Sequence, residues 1–220
     1  MSFNELNTVE NFIIYKLSGA NLNTEILKPG LLKAKSPTAK NQLLTAKSQQ
    51  WKYKTSTELD REVQEVLIES ELKSALIRIN PEINKNPDLA DEVLYKLRAI
   101  LISVNQIGLV KANEEFTEWL KGEKTLPFGA NNRHVPVRLI DFEKLENNSF
   151  VVTNQFRVHA RETKIPDVVL LINGIPVVVG EAKTPIRPAI SWLDGANEIQ
   201  EVYENTIPQL FVPNILSFAT

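Results

Sequence analysis

Cysteine is absent from the 220 residues, and histidine occurs only twice, at His134 and His159. The missing thiols exclude disulfide bonds, thiolate zinc sites and cysteine nucleophiles. Two histidines are too few for a metal site built from several imidazoles, and no HExxH pattern occurs. This composition is compatible with a reducing compartment.

Long apolar runs and a strong charge of one sign are also missing. No apolar stretch approaches the roughly 20 residues that cross a bilayer, and the N-terminus carries acids where a signal peptide has a basic start. The net charge is −2, so nucleic-acid affinity would need a local basic patch or metal ions that neutralise an acidic site. We expect a soluble cytoplasmic protein without a membrane partner.

The first half of the chain is predicted to be helical. Apolar residues recur at helical spacing in four segments, which are residues 5–18, 58–79, 86–108 and the segment ending at Gly122. Gly19 is expected to end the first helix, and Thr57 is a plausible N-cap of the second. These helices have the pattern of packing elements, and none carries an obvious chemical group.

A basic segment separates the first two helices. Lysines recur from Lys28 to Lys54 without any acid, and Trp51 and Tyr53 lie among the last of them. Two interpretations remain open. The segment is either a solvated connector or an arm that contacts phosphate groups, with aromatics available for packing or stacking.

The second half changes to the period of β-strands. Runs of β-branched and aromatic residues predict one hairpin from residues 135–142 and 149–158. A second hairpin is predicted from residues 168–172 and 175–179 around an Asn-Gly turn. A helix over residues 192–204 and a last strand over residues 210–218 follow. The expected fold is α/β, with a mixed sheet flanked by helices.

Three ionisable residues lie at the ends of the second hairpin. Asp167 precedes its first strand, while Glu181 and Lys183 end the second strand, so the hairpin brings all three to one edge of the sheet. Two carboxylates and a backbone carbonyl, such as that of Ala182, are hard oxygen ligands suited to Mg²⁺. Lys183 would orient or activate a water and stabilise developing phosphorane charge. The alternative is a plain ion pair at two strand ends.

Strand register makes this interpretation conditional. With a two-residue turn and a regular ladder, Asp167 would lie opposite Gly180, on the face away from Glu181. We therefore predict a three-residue turn or a β-bulge in this hairpin, for which Gly174 and Gly180 are suitable positions.

The pattern Pro166-Asp167 followed by Glu181-Ala182-Lys183 resembles the PD-(D/E)xK nuclease signature. Nearly the whole chain resembles the N-terminal region of the R (restriction) subunit of type I restriction enzymes. The matching segments are LIRINP (76–81), LIDF (139–142), ENNSF (146–150), NQFRV (154–158), NGIP (173–176), EAKTP (181–185) and IPQLF (207–211).

The resemblance implies a restriction-endonuclease-like fold and further site residues. Glu10 matches a glutamate on the family's first helix, and an ordinary exposed helix glutamate is the alternative. Gln200 and Tyr203 are the nearest match to a Gln and a Tyr one helical turn apart, although they are separated by three positions rather than four. Arg187 is a candidate phosphate contact or a surface ion pair.

The resemblance also implies a domain organisation and partners. Residues 1–220 would form an endonuclease domain, with a helical insertion at about 58–122 and the catalytic core at about 133–220, cut off before an ATPase motor. No GxxxxGK[ST] phosphate loop occurs in this chain, so ATP would act only in the motor region. The implied partners are double-stranded DNA and the methyltransferase and specificity subunits.

Two main hypotheses follow. The first is a type I site-specific deoxyribonuclease domain that uses Mg²⁺ to hydrolyse DNA phosphodiester bonds after motor-driven translocation. The second is a catalytically silent module that docks partner subunits or holds DNA, suggested by the size of the helical segment. A stand-alone repair or recombination nuclease is a third possibility.

Overall fold

A computed structural model describes residues 9–20, 22, 51–183 and 191–220. Its centre is a five-stranded mixed sheet in the order β1-β4-β7-β8-β9. The strands are β1 (Lys52–Tyr53), β4 (Phe150–Asn154), β7 (Val168–Ile172), β8 (Ile175–Glu181) and β9 (Leu216–Ala219). The outer pairs β1/β4 and β8/β9 are parallel, and the two inner pairs are antiparallel. The expected α/β class with a mixed sheet is confirmed.

Helices cover both faces of this sheet. They are α1 (Asn11–Ser18), α2 (Glu69–Ile79), α3 (Pro81–Lys85), α4 (Leu89–Ile107), α5 (Leu109–Leu120), α6 (Trp192–Asn197), α7 (Glu204–Thr206) and α8 (Pro208–Phe211). A π-helical segment, Glu198–Tyr203, joins α6 to α7. Within the part of the chain described, no helix has the length and apolar character needed to cross a membrane.

Alternation along the strands divides the buried residues between two clusters. Val151 and Val169 point into the large core that also contains the apolar faces of α2, α4 and α5. Their neighbours Val152 and Val168 point to the opposite face, where they pack with Ile14 of α1. Both faces of the central strands are therefore buried, as the continuous apolar runs predicted.

Several predicted helix ends agree with the structure. Gly19 ends α1 in the left-handed conformation (φ 74°), and Gly108 (φ 84°) ends α4. The second helix was predicted too long, since α2 begins at Glu69 and Thr57 is not its N-cap. Val66, Leu67 and Ile68 are buried in succession, which a helix with one apolar face does not allow.

The predicted hairpin over residues 135–142 and 149–158 is wrong. Only β3 (Val135–Pro136) forms in its first arm, and it pairs with β2 (Thr125–Leu126). The rest of that arm is held by asparagine side chains. Asn148 bonds both the backbone N–H and the carbonyl of Asp141, and the side chain of Asn173 donates to the carbonyl of Leu139. The second arm supplies β4, which pairs with β7 and not with residues 135–142.

The last predicted strand, over residues 210–218, is only partly present. Residues Pro208–Phe211 form α8, because Pro208 at the first helical position favours a helix start. The strand β9 then begins at Leu216. Two short antiparallel strands, β5 (Val158–His159) and β6 (Thr163–Lys164), complete the fold. The proposed division into an insertion and a core remains a prediction.

The described end of the basic segment favours the packing role of its aromatics. The ring of Trp51 lies edge-on to Phe150, with centroids 5.3 Å apart. The hydroxyl of Tyr53 donates to Asn154 at 2.9 Å. Residues 28–50 and Arg187 lie outside the described residues.

Candidate active site

The β7–β8 hairpin contains the predicted bulge. Its turn is the two-residue type, with Asn173 (φ 53°) and Gly174 (φ 77°) both left-handed. Ile172 pairs with Ile175, but the register shifts after Leu171, so that Val177 is the extra residue. Neither glycine supplies the bulge. As a result Val168 pairs with Gly180, and the next position, Asp167, comes opposite Glu181.

Asp167 is held by donors on both carboxylate oxygens. The backbone N–H of Ala182 donates to its Oδ2 at 2.8 Å, and the Gln155 side-chain amide donates to its Oδ1 at 3.1 Å. Its backbone carbonyl accepts from the N–H of Gln155 at 3.0 Å. The end of β4 and the end of β8 thus both orient this carboxylate.

Glu181 is 4% exposed and lies among polar partners. Lys183 Nζ donates to its Oε1 at 2.8 Å, and the Tyr203 hydroxyl donates to its Oε2 at 3.0 Å. Lys183 also donates to Glu198 at 2.6 Å, and the Tyr203 hydroxyl lies 3.3 Å from the same carboxylate. The four side chains form a closed network between β8 and the π-helical segment.

The charges in this network alter the proton affinities of its members. Burial raises the pKa of Glu181 to about 7, and the charges of Asp167 and Glu198 add to this effect although the Lys183 hydrogen bond opposes it. Burial lowers the pKa of Lys183, but its hydrogen bonds to Glu181 and Glu198 outweigh burial and raise it overall. Lys183 is therefore a persistent cation, suited to donate to a negatively charged oxygen rather than to accept a proton.

Glu10 lies inside the protein rather than on an exposed helix face. It precedes the first residue of α1 and is 1% exposed. Gln155 Nε2 lies 3.1 and 3.2 Å from its two oxygens, and Asn154 Nδ2 lies 3.3 Å from Oε2. Since the same Gln155 amide reaches Asp167, the structure brings Glu10 into the polar group around that aspartate.

The expected Gln–Tyr pair is only half assembled. Tyr203 is buried and contacts Glu181, whereas Gln200 is exposed. Glu198, and not Gln200, lies on the same face of the helix as Tyr203. The wider π-helical turn brings residues that are five positions apart, such as Glu198 and Tyr203, to one side. The sequence interpretation missed both Glu198 and Gln155. The acidic Glu198 two positions before Gln200 was a signal that was not used.

The donor set is compatible with a magnesium ion bound by few side chains. No group of three or more acidic or imidazole side chains that could hold a metal ion is found among residues 9–20, 22, 51–183 and 191–220. Mg²⁺ keeps several waters and commonly takes only one or two carboxylates. Asp167 and Glu181 would supply two hard oxygen ligands opposite each other, and the charge of Lys183 is shared between Glu181 and Glu198.

Comparisons with known proteins identify a family and several relatives. Residues 38–220 match the family Type I restriction enzyme R protein N terminus. The type I restriction enzyme HindI endonuclease subunit of Haemophilus influenzae is 32% identical over 154 residues, which are 68% of this chain and 14% of that protein. The putative type I restriction enzyme MjaIXP endonuclease subunit of Methanocaldococcus jannaschii is 31% identical over 169 residues, covering 73% and 16%. The chain thus spans about a seventh of the length of these relatives.

Proposed function

The chain belongs to the type I restriction enzyme R protein N-terminal family, and on this basis we propose that it is a Mg²⁺-dependent endonuclease domain. Its substrate would be the phosphodiester backbone of double-stranded DNA. The observation that supports this most strongly is the Val177 bulge, which places Asp167 opposite Glu181. A plain ion pair at the strand ends would not need an aspartate and a glutamate to face each other.

Asp167 and Glu181 would hold the metal ion. Glu10 would support them through the Gln155 amide that it shares with Asp167. A bound divalent ion supplies a Lewis acid for the phosphate and lowers the pKa of a coordinated water. Lys183 lies 2.8 Å from Glu181 and remains charged, so it would donate to a phosphate oxygen as negative charge develops. Tyr203 and Glu198 hold Lys183 and Glu181 in place through the contacts described above.

The relatives suggest how the domain is used. Both are named as endonuclease subunits of type I restriction enzymes and are several times longer than this chain. We propose that recognition and ATP-driven translocation reside outside this chain, in specificity and methyltransferase partners and in a motor region of the same subunit. Cutting would then follow translocation.

Substitution in the assembled R subunit tests the proposal. We expect Asp167→Ala, Glu181→Ala and Lys183→Ala each to lower DNA cleavage by about 100-fold or more, the scale seen when one transition-state contact is removed. ATP hydrolysis should continue in all three. Lys164→Ala, which removes a surface ion pair with Glu162, serves as the matched control. Full cleavage by all three site variants would refute the assignment.

The exposed apolar face of α4 favours a second candidate, a docking module. Tyr95 and Ile102 lie seven residues apart on one face of this helix and are 70% and 65% exposed, and Val110 of α5 is 72% exposed. In this role the chain would attach partner subunits or hold DNA without cutting it. Titration with Mg²⁺ separates the candidates, because binding that depends on Asp167 and Glu181 supports the nuclease, and its absence supports docking alone.

A further inference from the structure

The side-chain amide of Gln155 lies between two carboxylates. Its Nε2 is 3.1 Å from Asp167 Oδ1, and 3.1 and 3.2 Å from the two oxygens of Glu10. A primary amide carries two N–H donors, so one side chain can serve both acids at once. Two neighbouring carboxylates repel each other, and a donor that both of them share offsets part of this repulsion.

The backbone holds Gln155 where this bridge forms. Its φ is 51°, in the left-handed region that non-glycine residues rarely adopt. Its N–H donates to the carbonyl of Asp167, and the next N–H, of Phe156, donates to the carbonyl of Pro166. The chain that leaves β4 is therefore tied to the residues that enter β7, at the position where the side-chain bridge is needed.

The bridge also fixes the orientation of the Asp167 carboxylate. The Gln155 amide donates to Oδ1 and the Ala182 N–H donates to Oδ2, and a carboxylate oxygen can take more than one partner. With both oxygens held, the plane of the carboxylate is set before any ion arrives. Outer contacts of this kind orient metal ligands, and their loss typically weakens metal binding or activity by about 10- to 100-fold.

We infer that Gln155 is a positioning residue that orients Asp167 and joins it to Glu10 for the binding of a divalent cation. This inference rests on the proposed metal-dependent function. It predicts that the amide, and not the backbone conformation at residue 155, determines the affinity for the ion.

Two substitutions with opposite effects on the backbone test this. Gln155→Leu removes the amide but keeps a side chain at positive φ, whereas Gln155→Gly removes the amide and adopts that φ freely. We expect both to raise the dissociation constant for Mn²⁺ and for Mg²⁺ by about 10-fold or more, measured by calorimetric titration of the 220-residue chain. The control is Asn154→Ala, which removes another donor to Glu10 but keeps the donors Gln155 and Ala182 to Asp167, and it should bind nearly as the wild type.

The outcomes separate the inference from the proposed function. Unchanged or tighter binding in Gln155→Gly would overturn the inference, and so would weak binding confined to Gln155→Leu, since that result would reflect backbone strain. An equal loss in Asn154→Ala would also overturn it, because Glu10 alone would then explain the effect. If the wild type binds neither ion, the proposed function fails and the inference fails with it. Should Gln155→Leu not fold, Gln155→Gly decides.

Discussion

Replacing Glu181 by glutamine should stabilise the protein at alkaline pH. Glu181 is 4% exposed, and burial raises its pKa to about 7 from an ordinary value of 4.5. At about 1.4 kcal/mol for each pH unit, this difference corresponds to about 3 kcal/mol of folding free energy. The amide of Glu181→Gln is neutral at every pH, and its oxygen still accepts from Lys183. The variant should therefore keep most of the folding free energy that the wild type loses when Glu181 ionises.

The sign follows from which state binds the proton. Below pH 4.5 Glu181 is protonated in both the folded and the unfolded chain, so it contributes no pH dependence. Between pH 4.5 and about 7 the unfolded chain ionises while the folded chain keeps its proton, and stability falls as pH rises. Above about 7 both are ionised and the loss is complete.

Urea unfolding from pH 5 to 8.5, without divalent ions, measures the effect. We expect the wild type to lose about 3 kcal/mol across this range relative to Glu181→Gln. Glu143→Gln is the control, because Glu143 is exposed and its carboxylate forms a surface ion pair with Arg138. If the free energy of unfolding changes with pH equally in the wild type and in Glu181→Gln, burial does not raise the pKa of Glu181 and the reasoning is wrong.

Two further substitutions and one deletion test other parts of the site. In Gly180→Ala the added carbon would lie 2.2 Å from Cζ of Phe218, so urea unfolding should show a loss of about 1–3 kcal/mol; an unchanged midpoint would refute the close packing. Deleting Val177 removes the bulge and turns Asp167 to the other face, so calorimetry should show loss of Mg²⁺ binding while far-UV circular dichroism stays unchanged; retained binding would contradict the register argument. Lys183→Met removes the cation beside the carboxylates, so Mg²⁺ binding should persist while cleavage falls by about 100-fold; cleavage near the wild-type rate would assign the lysine no chemical role.

The second hairpin was predictable because its determinants are local. Asn173-Gly174 favours a turn with both residues at positive φ, and the apolar runs on either side set the length of the strands. The bulge followed from a chemical requirement, since Asp167 and Glu181 face each other only if the register shifts. Its place at Val177 was not predictable, because no residue type marks it.

The residues that the sequence did not reveal depend on distant or unusual backbone geometry. Gln155 reaches Glu10, 145 positions away, only through a left-handed turn after β4. Glu198 meets Tyr203 because a π-helical turn spaces them by five residues, whereas helical spacing of three or four pointed to Gln200. The prediction of the first hairpin was wrong for a related reason. Asparagine side chains hold residues 139–141 through hydrogen bonds, and such contacts leave no periodic pattern in the sequence.

The balance of charge gives a last prediction. Glu181 and Glu198 share the charge of Lys183, and burial together with the negative charge of Asp167 raises the pKa of Glu181. Three carboxylates close to one lysine lower the stability of the fold, as functional sites commonly do. A cation that binds only the folded chain restores stability, by about 2.7 kcal/mol when its concentration is 100 times its dissociation constant.

In the proposed site a metal ion would compete with the proton on Glu181, so the affinity for the ion should depend on pH. We expect the rise in melting temperature on adding Mg²⁺ to be small at pH 5.5, to grow as pH passes about 7 and then to level off. Ca²⁺, which also prefers oxygen ligands, should follow the same profile. Glu181→Gln should show little response at any pH. A response in the wild type that is equal at pH 5.5 and pH 8 would mean that Glu181 does not hold the ion, because a ligand that must lose a proton cannot bind equally well on both sides of its pKa.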